Sequence, residues 1–248
     1  MRINKDKIYV IPSSSKYFND TKVDTYMEND FTVQIRCKVN YDLLDINGEC
    51  FMISRNGKHS GISVYRHEDG TLFIHFVYWF SNDKSESVMK IEKYILPETF
   101  VNLFNTYTMI CDNENKIIKC YVNNEQVALI DYERLEKNPY SDVYYWFGCG
   151  SMFMENASDM KLGDIDIDFA FVSKSKLTIE EVEDITLNYN KKYTKELVGD
   201  LKLLSDNMPH KESFGFFCDF NISSKYKIWN MVFNGICPII YMEDNTHY

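Results

Sequence analysis

Along most of the chain apolar and polar residues alternate one by one, the period of a half-buried β-strand rather than of a helix. Phe31, Val33, Ile35, Cys37 and Val39 share one face of such a run. From Leu72 to Phe80 both faces are rich in rings: His75, Val77 and Trp79 oppose Phe76, Tyr78 and Phe80. Tyr144 and Trp146 likewise oppose Tyr145 and Phe147. Further strands are predicted at Lys7–Ile11, Cys50–Ser54, Gly61–Arg66, Lys90–Ile95, twice between Thr106 and Ile130, at Asp142–Gly150, and from Gly163 onward. Asp69-Gly70 between two strand-like runs is a strong hairpin signal, and Asn56-Gly57, Asn113 to Asn115 and Asn123-Asn124 sit where turns belong. One helix is predicted, from Thr178 to about Tyr189, with Thr178 as N-cap and Glu181 at the capping-box position. Short strands joined by turns, without long helices between them, predict an all-β, two-sheet antiparallel sandwich.

The tail differs in texture. Glu196 to Asn207 reads as a short helix or an extended connector. Gly215–Phe220, Lys227–Phe233 and Cys237–Tyr241 read as strands. The expected division is a sandwich over residues 1–190 and a C-terminal extension over 191–248, packed on the sandwich or leading to another module.

Several segments resemble the concanavalin A-like, laminin G-like jelly-roll family. They are Tyr121-Val122-Asn123-Asn124, Gly163-Asp164-Ile165-Asp166 and Leu177-Thr178-Ile179-Glu180-Glu181-Val182, with Tyr9 to Pro12 and Phe31 to Lys38 nearer the N-terminus. The likeness covers roughly residues 5–190. It implies a jelly-roll sandwich with one short helix after the last core strand. It says less about function, because that fold hosts lectins, hydrolases, adhesion modules and spacers.

Composition narrows the partners. The 248 residues carry a formal net charge of −10, which argues against nucleic acid or an anionic membrane, since both need clustered cations. The charge suits a neutral glycan, a cation, or solubility. No apolar run reaches membrane-spanning length. The N-terminus has no apolar stretch of the kind a secretory signal requires, an absence that means little in a fragment of a longer chain. Seven cysteines, with no Cys-x-x-Cys spacing, indicate neither a zinc site nor a complete disulfide framework. They fit folding in a reducing compartment, several of them as small buried hydrophobes.

Three constellations are candidates for chemistry. Flat rings on an exposed strand face stack on sugar C–H faces, which makes Tyr78, Trp79, Tyr144 and Trp146 candidate ligand-binding residues; the alternative is that they are core. Asp164, Asp166 and Asp168 alternate on one strand, about 7 Å apart, and are the candidate Ca2+ ligands. Paired carboxylates also serve glycosidases, but every acid here is Asp, and the structural reading is an outer strand face bonded to its neighbours. Among the histidines only His75 falls in a strand pattern, and no zinc spacing, Gly-x-Ser-x-Gly elbow or phosphate-cradling glycine loop is present. The expectation is a carbohydrate-binding or adhesion module, part of a larger surface, viral or glycan-modifying protein. A structural jelly roll with a protein partner is the alternative, and a glycoside hydrolase or lyase the third reading. Self-association is compatible with any of them.

Overall fold

The structure, a computed structural model, describes residues 2–3, 8–12, 29–55, 60–81, 86–135, 144–147, 149–150, 165–192, 208–224, 227–230, 235–238 and 240–242. In chain order the strands are β1 (Arg2–Ile3), β2 (Ile8–Pro12), β3 (Phe31–Val39), β4 (Glu49–Arg55), β5 (Gly61–Arg66), β6 (Leu72–Ser81), β7 (Ser87–Ile95), β8 (Phe104–Asp112) and β9 (Ile117–Val122). They continue with β10 (Glu125–Asp131), β11 (Arg134–Leu135), β12 (Tyr144–Phe147), β13 (Cys149–Gly150), β14 (Ile165–Ser173), β15 (Phe214–Ser224), β16 (Lys227–Asn230), β17 (Gly235–Pro238) and β18 (Ile240–Met242). Helix α1 (Ile179–Lys192) lies between β14 and β15.

These strands form two antiparallel sheets, a jelly-roll sandwich. The first runs β10-β9-β8-β3-β14-β15-β16-β17, with β1 beside β14. The second runs β11-β6-β5-β4-β12-β2-β18, with β7 on the far side of β6 and β13 beside β4. Strands from the tail enter both sheets: β15 pairs with β14, and β18 with β2. The Glu196–Asn207 segment and the Asn56-Gly57 turn lie outside the described residues.

The core follows the alternation. Phe31, Val33, Ile35, Cys37 and Val39 are at most 1% exposed and face Ile62, Val64, Ile74, Phe76, Tyr78 and Phe80 of the second sheet. Cys37, Cys50, Cys111, Cys120 and Cys218 are buried thiols, and burial pushes the Cys111 thiol up to about 12. Turn residues sit where backbone sterics need them. Asn123 and Asn124 have φ of 48° and 66°, the left-handed pair of a tight hairpin between β9 and β10. Gly70, with φ of 90°, closes the β5–β6 turn; a side chain there would also meet the Tyr41 hydroxyl at 2.7 Å.

One bulge redirects the face of β14. Ile167 pairs with Cys37 and Phe169 with Arg36, so Asp168 is an extra residue. Ile165 and Ile167 point into the core before it, Ala170 and Val172 after it. Phe169 and Phe171 are thereby turned to the outer face, where they join a second cluster with Val182, Ile185 and Tyr189 of α1 and Phe214 and Phe217 of β15. The helix starts on the predicted capping box. The Thr178 N–H donates to Glu181 Oε2 at 2.7 Å, and the Glu181 N–H to Thr178 Oγ1 at 3.2 Å. Leu177 and Val182, flanking that box, are buried in the same cluster, the arrangement of a hydrophobic staple. No helix among the described residues is long and apolar enough to cross a membrane.

Candidate functional site

The outer face of the first sheet is partly covered. Helix α1 covers part of it, and beyond the helix the acids of β14 meet cations of β3. Lys38 Nζ lies 2.7 Å from Asp166 Oδ2, and Arg36 Nη1 lies 2.8 Å from Asp168 Oδ2. Both cations also lie against the Phe104 ring, at 5.8 and 5.9 Å. The Tyr189 hydroxyl lies 3.1 Å from Asp219 Oδ1 and 3.4 Å from Asp168 Oδ1. Asp166 and Asp168 thus share a face, as the alternation predicts, but each is matched by a cation of its own. Asp164 lies outside the described residues. Among the described residues no three His, Cys, Asp or Glu side chains converge as metal ligands.

The outer face of the second sheet is different. On β6 the even-numbered rings turn inward and the odd-numbered ones outward. Tyr78 is corrected by this: it is a core residue, 2% exposed, its ring stacked on Phe31 at 5.8 Å and against Tyr132 at 6.1 Å, so no sugar reaches its face. Trp79 turns outward and is half-buried, its backbone N–H bonded to Ser60 Oγ at 3.2 Å. The backbones of Tyr144 and Trp146 run in β12, beside β2, and their side chains lie outside the described residues.

Outward residues of β5 and β6 meet across the hairpin. Tyr65 pairs with Phe73 and Ser63 with His75. The rings of Tyr65, His67, Phe73 and His75 form one cluster, with centroids 5.6 to 6.5 Å apart. Its foundation is polar. Glu49 Oε1 accepts from Ser63 Oγ at 2.6 Å and lies 3.1 Å from His75 Nδ1, which orients the imidazole. Tyr65 stacks on that imidazole with an interplanar angle of 17°, and its hydroxyl donates to Asn47 Oδ1 at 3.0 Å. Both ends of Tyr65 are therefore fixed. Phe51, Ser63 and Val77, in the middle of this face, are fully buried. Exposure rises toward the β5–β6 turn, where Tyr65, His67 and Phe73 are half-buried and Ile95, opposite Phe73 on β7, is 60% exposed.

The ring cluster leads into a groove of about 530 Å³. Its lining includes Tyr41, Asp69, Thr71, Ile95, Pro97 and Glu98. Two residues join cluster and groove: Ile95 belongs to both surfaces, and Asp69 Oδ1 lies 3.1 Å from His67 Nδ1. The Thr71 N–H donates to the same oxygen at 2.9 Å, and this bond, with the Thr71 side chain and then His67, holds the Asp69 carboxyl below its ordinary value. Asp69 is thus an acceptor rather than a proton donor. Tyr41 is held at the other side, its hydroxyl bonded to the Gly70 carbonyl at 3.0 Å and its ring over the Arg66 guanidinium at 4.2 Å. Rings, two carboxylates and a hydroxyl around a half-open groove provide apolar faces and acceptors together, as ligand sites commonly do.

No protein-family model matches the sequence, and no curated protein matches it. Solved structures do resemble the fold. A heptameric SAP-like pentraxin from Limulus polyphemus is 11% identical, with 73% of this chain and 76% of that chain covered and a TM-score of 0.44. A carbohydrate-binding module, CBM40, of the Ruminococcus gnavus IT-sialidase, bound to α2,3-sialyllactose, is 18% identical, with 73% and 95% covered and a TM-score of 0.45. The binding domain of botulinum neurotoxin DC, in complex with SialylT, is 14% identical, with 74% of this chain but 42% of that chain covered and a TM-score of 0.47. At these identities the likeness is one of fold.

Proposed function

We propose that the chain is a carbohydrate-binding jelly-roll module of laminin G-like type, whose glycan stacks on Tyr65 and Phe73 and runs into the adjoining groove. The observation that carries this reading is a fixed, half-exposed ring patch next to a groove lined by Asp69, Thr71 and Glu98: Asp69 lies 3.1 Å from His67 of the patch, and Ile95 of the lining pairs with Phe73. Sugar C–H faces suit the rings, and sugar hydroxyls suit the carboxylates. Ca2+ belongs to the proposal as a rim ion. The ion pairs of Asp166 and Asp168 count against those two acids as its ligands.

A glycan array probed with the purified chain, with calcium and again with EDTA, tests the reading. Specific binding lost in Tyr65→Ala and in Phe73→Ala is the expected result, and loss in EDTA would add the ion. Folding of each variant is checked by its melting curve. A blank array with folded protein contradicts the reading. It would favour a protein partner, for which Ile95, Leu103 and Phe104, each at least 44% exposed, offer apolar contact.

A further inference from the structure

Within the carbohydrate-binding reading, on which this inference rests, the charge of the groove bears on which sugar it takes. Among the described residues the lining contains two carboxylates, Asp69 and Glu98, and no lysine, arginine or histidine. Glu68, next to Asp69 in the turn, is exposed as well. The Asp69 carboxylate is exposed, with Oδ1 taking the Thr71 N–H at 2.9 Å and lying 3.1 Å from His67 Nδ1. The Glu98 side chain has no hydrogen-bond or ion-pair partner among the described residues.

Of the cations nearby, Arg66 and His67 are engaged, and Lys93 lies off the lining. Arg66 donates through Nη1 to the Tyr41 and Leu44 carbonyls at 3.2 and 2.9 Å, beneath the Tyr41 ring. His67 lies against Asp69 on the ring-patch side of the turn. Lys93 lies opposite His75, two positions before Ile95, and is not part of the lining.

We infer that the groove selects a glycan carrying a protonated amino group, an oligosaccharide of glucosamine type, and disfavours sialylated or sulfated glycans. An ammonium placed against an exposed carboxylate gains roughly fivefold in affinity at low salt, and a carboxylate or sulfate loses by the same physics. The preference weakens as salt screens the charges.

The test compares a glucosamine oligomer with its N-acetylated counterpart, and lactose with sialyllactose, by titration calorimetry at one slightly acidic pH. A several-fold preference for the free amine and weaker binding of sialyllactose than of lactose are expected. Both differences should shrink at high salt and in the Asp69→Asn, Glu98→Gln double variant. If that variant does not fold, the salt series on the unaltered chain decides. Equal affinities within each pair, or tighter binding of the sialylated sugar, overturn this inference and leave the carbohydrate reading standing. Absence of binding to all four sugars overturns both.

Discussion

Asp112 shows how one carboxylate can close a turn and tie it to a distant segment. It ends β8, accepts from the Asn115 backbone and side-chain N–H groups at 3.2 and 2.9 Å, and pairs with Lys176 at 3.1 Å. The Asn115 bonds come first, with Lys176 beside them, in holding its carboxyl down at about 2 from an ordinary 3.8. A depressed folded-state value means stability that is present above pH 3.8 and lost as the pH falls toward about 2. Asp112→Asn should therefore lower the melting temperature at neutral pH and flatten its decline across that acid window. Thermal unfolding followed by circular dichroism reads both; an unchanged acid limb would show that Asp112 contributes nothing. At this scale the sequence was partly legible. The asparagines of the turns were visible, but the part of Asp112 in tying its turn to a distant segment was hidden, because Lys176 lies far along the chain. Tyr78 against Trp79 is a similar case. Alternation separated the two rings onto opposite faces, and only the position of the other sheet tells which face is core.

At the scale of elements, local chemistry was the most readable and register the least. The capping box at Thr178 and Glu181 stands as the residue spacing predicted. Thr178→Ala removes one of its two bonds and should destabilise the protein by about 1 kcal/mol, measured by denaturant unfolding. A change near zero would mean that the packing of Val182, Ile185 and Tyr189 alone sets the helix start. The bulge at Asp168 left no comparable mark. One extra residue inverts every later side chain, which is why strict alternation puts Phe169 and Phe171 with Ile167, whereas the fold places them under α1. The β5–β6 hairpin lies between these cases. Its Asp-Gly signal was plain, but the loop has three residues, Glu68 to Gly70, with His67 N–H bonded to the Thr71 carbonyl. A two-residue Asp-Gly turn would set Tyr65 opposite Ile74, so the pairing of Tyr65 with Phe73 that builds the ring patch needed the structure.

For the whole molecule, the two sheets divide the work. The first buries part of its outer face under α1 and pairs Asp168 with Arg36 and Asp166 with Lys38. The second leaves a held ring patch on its outer face and, beside the β5–β6 turn, an acidic groove lined from that turn, the end of β7 with the segment after it, and Tyr41. Alternation revealed the sandwich because burial on one face is what alternation records. It did not reveal the groove, whose lining comes from residues separated by up to sixty positions along the chain (Tyr41 to Val101).

The most direct test is to map a bound oligosaccharide by nuclear magnetic resonance, following methyl and ring signals during titration. Signals of Tyr65, His67, Phe73 and Ile95 should move together and saturate, while those of Phe104 and Leu187 on the first sheet and helix stay still. Movement confined to the first sheet, or no movement with any glycan, would contradict the account.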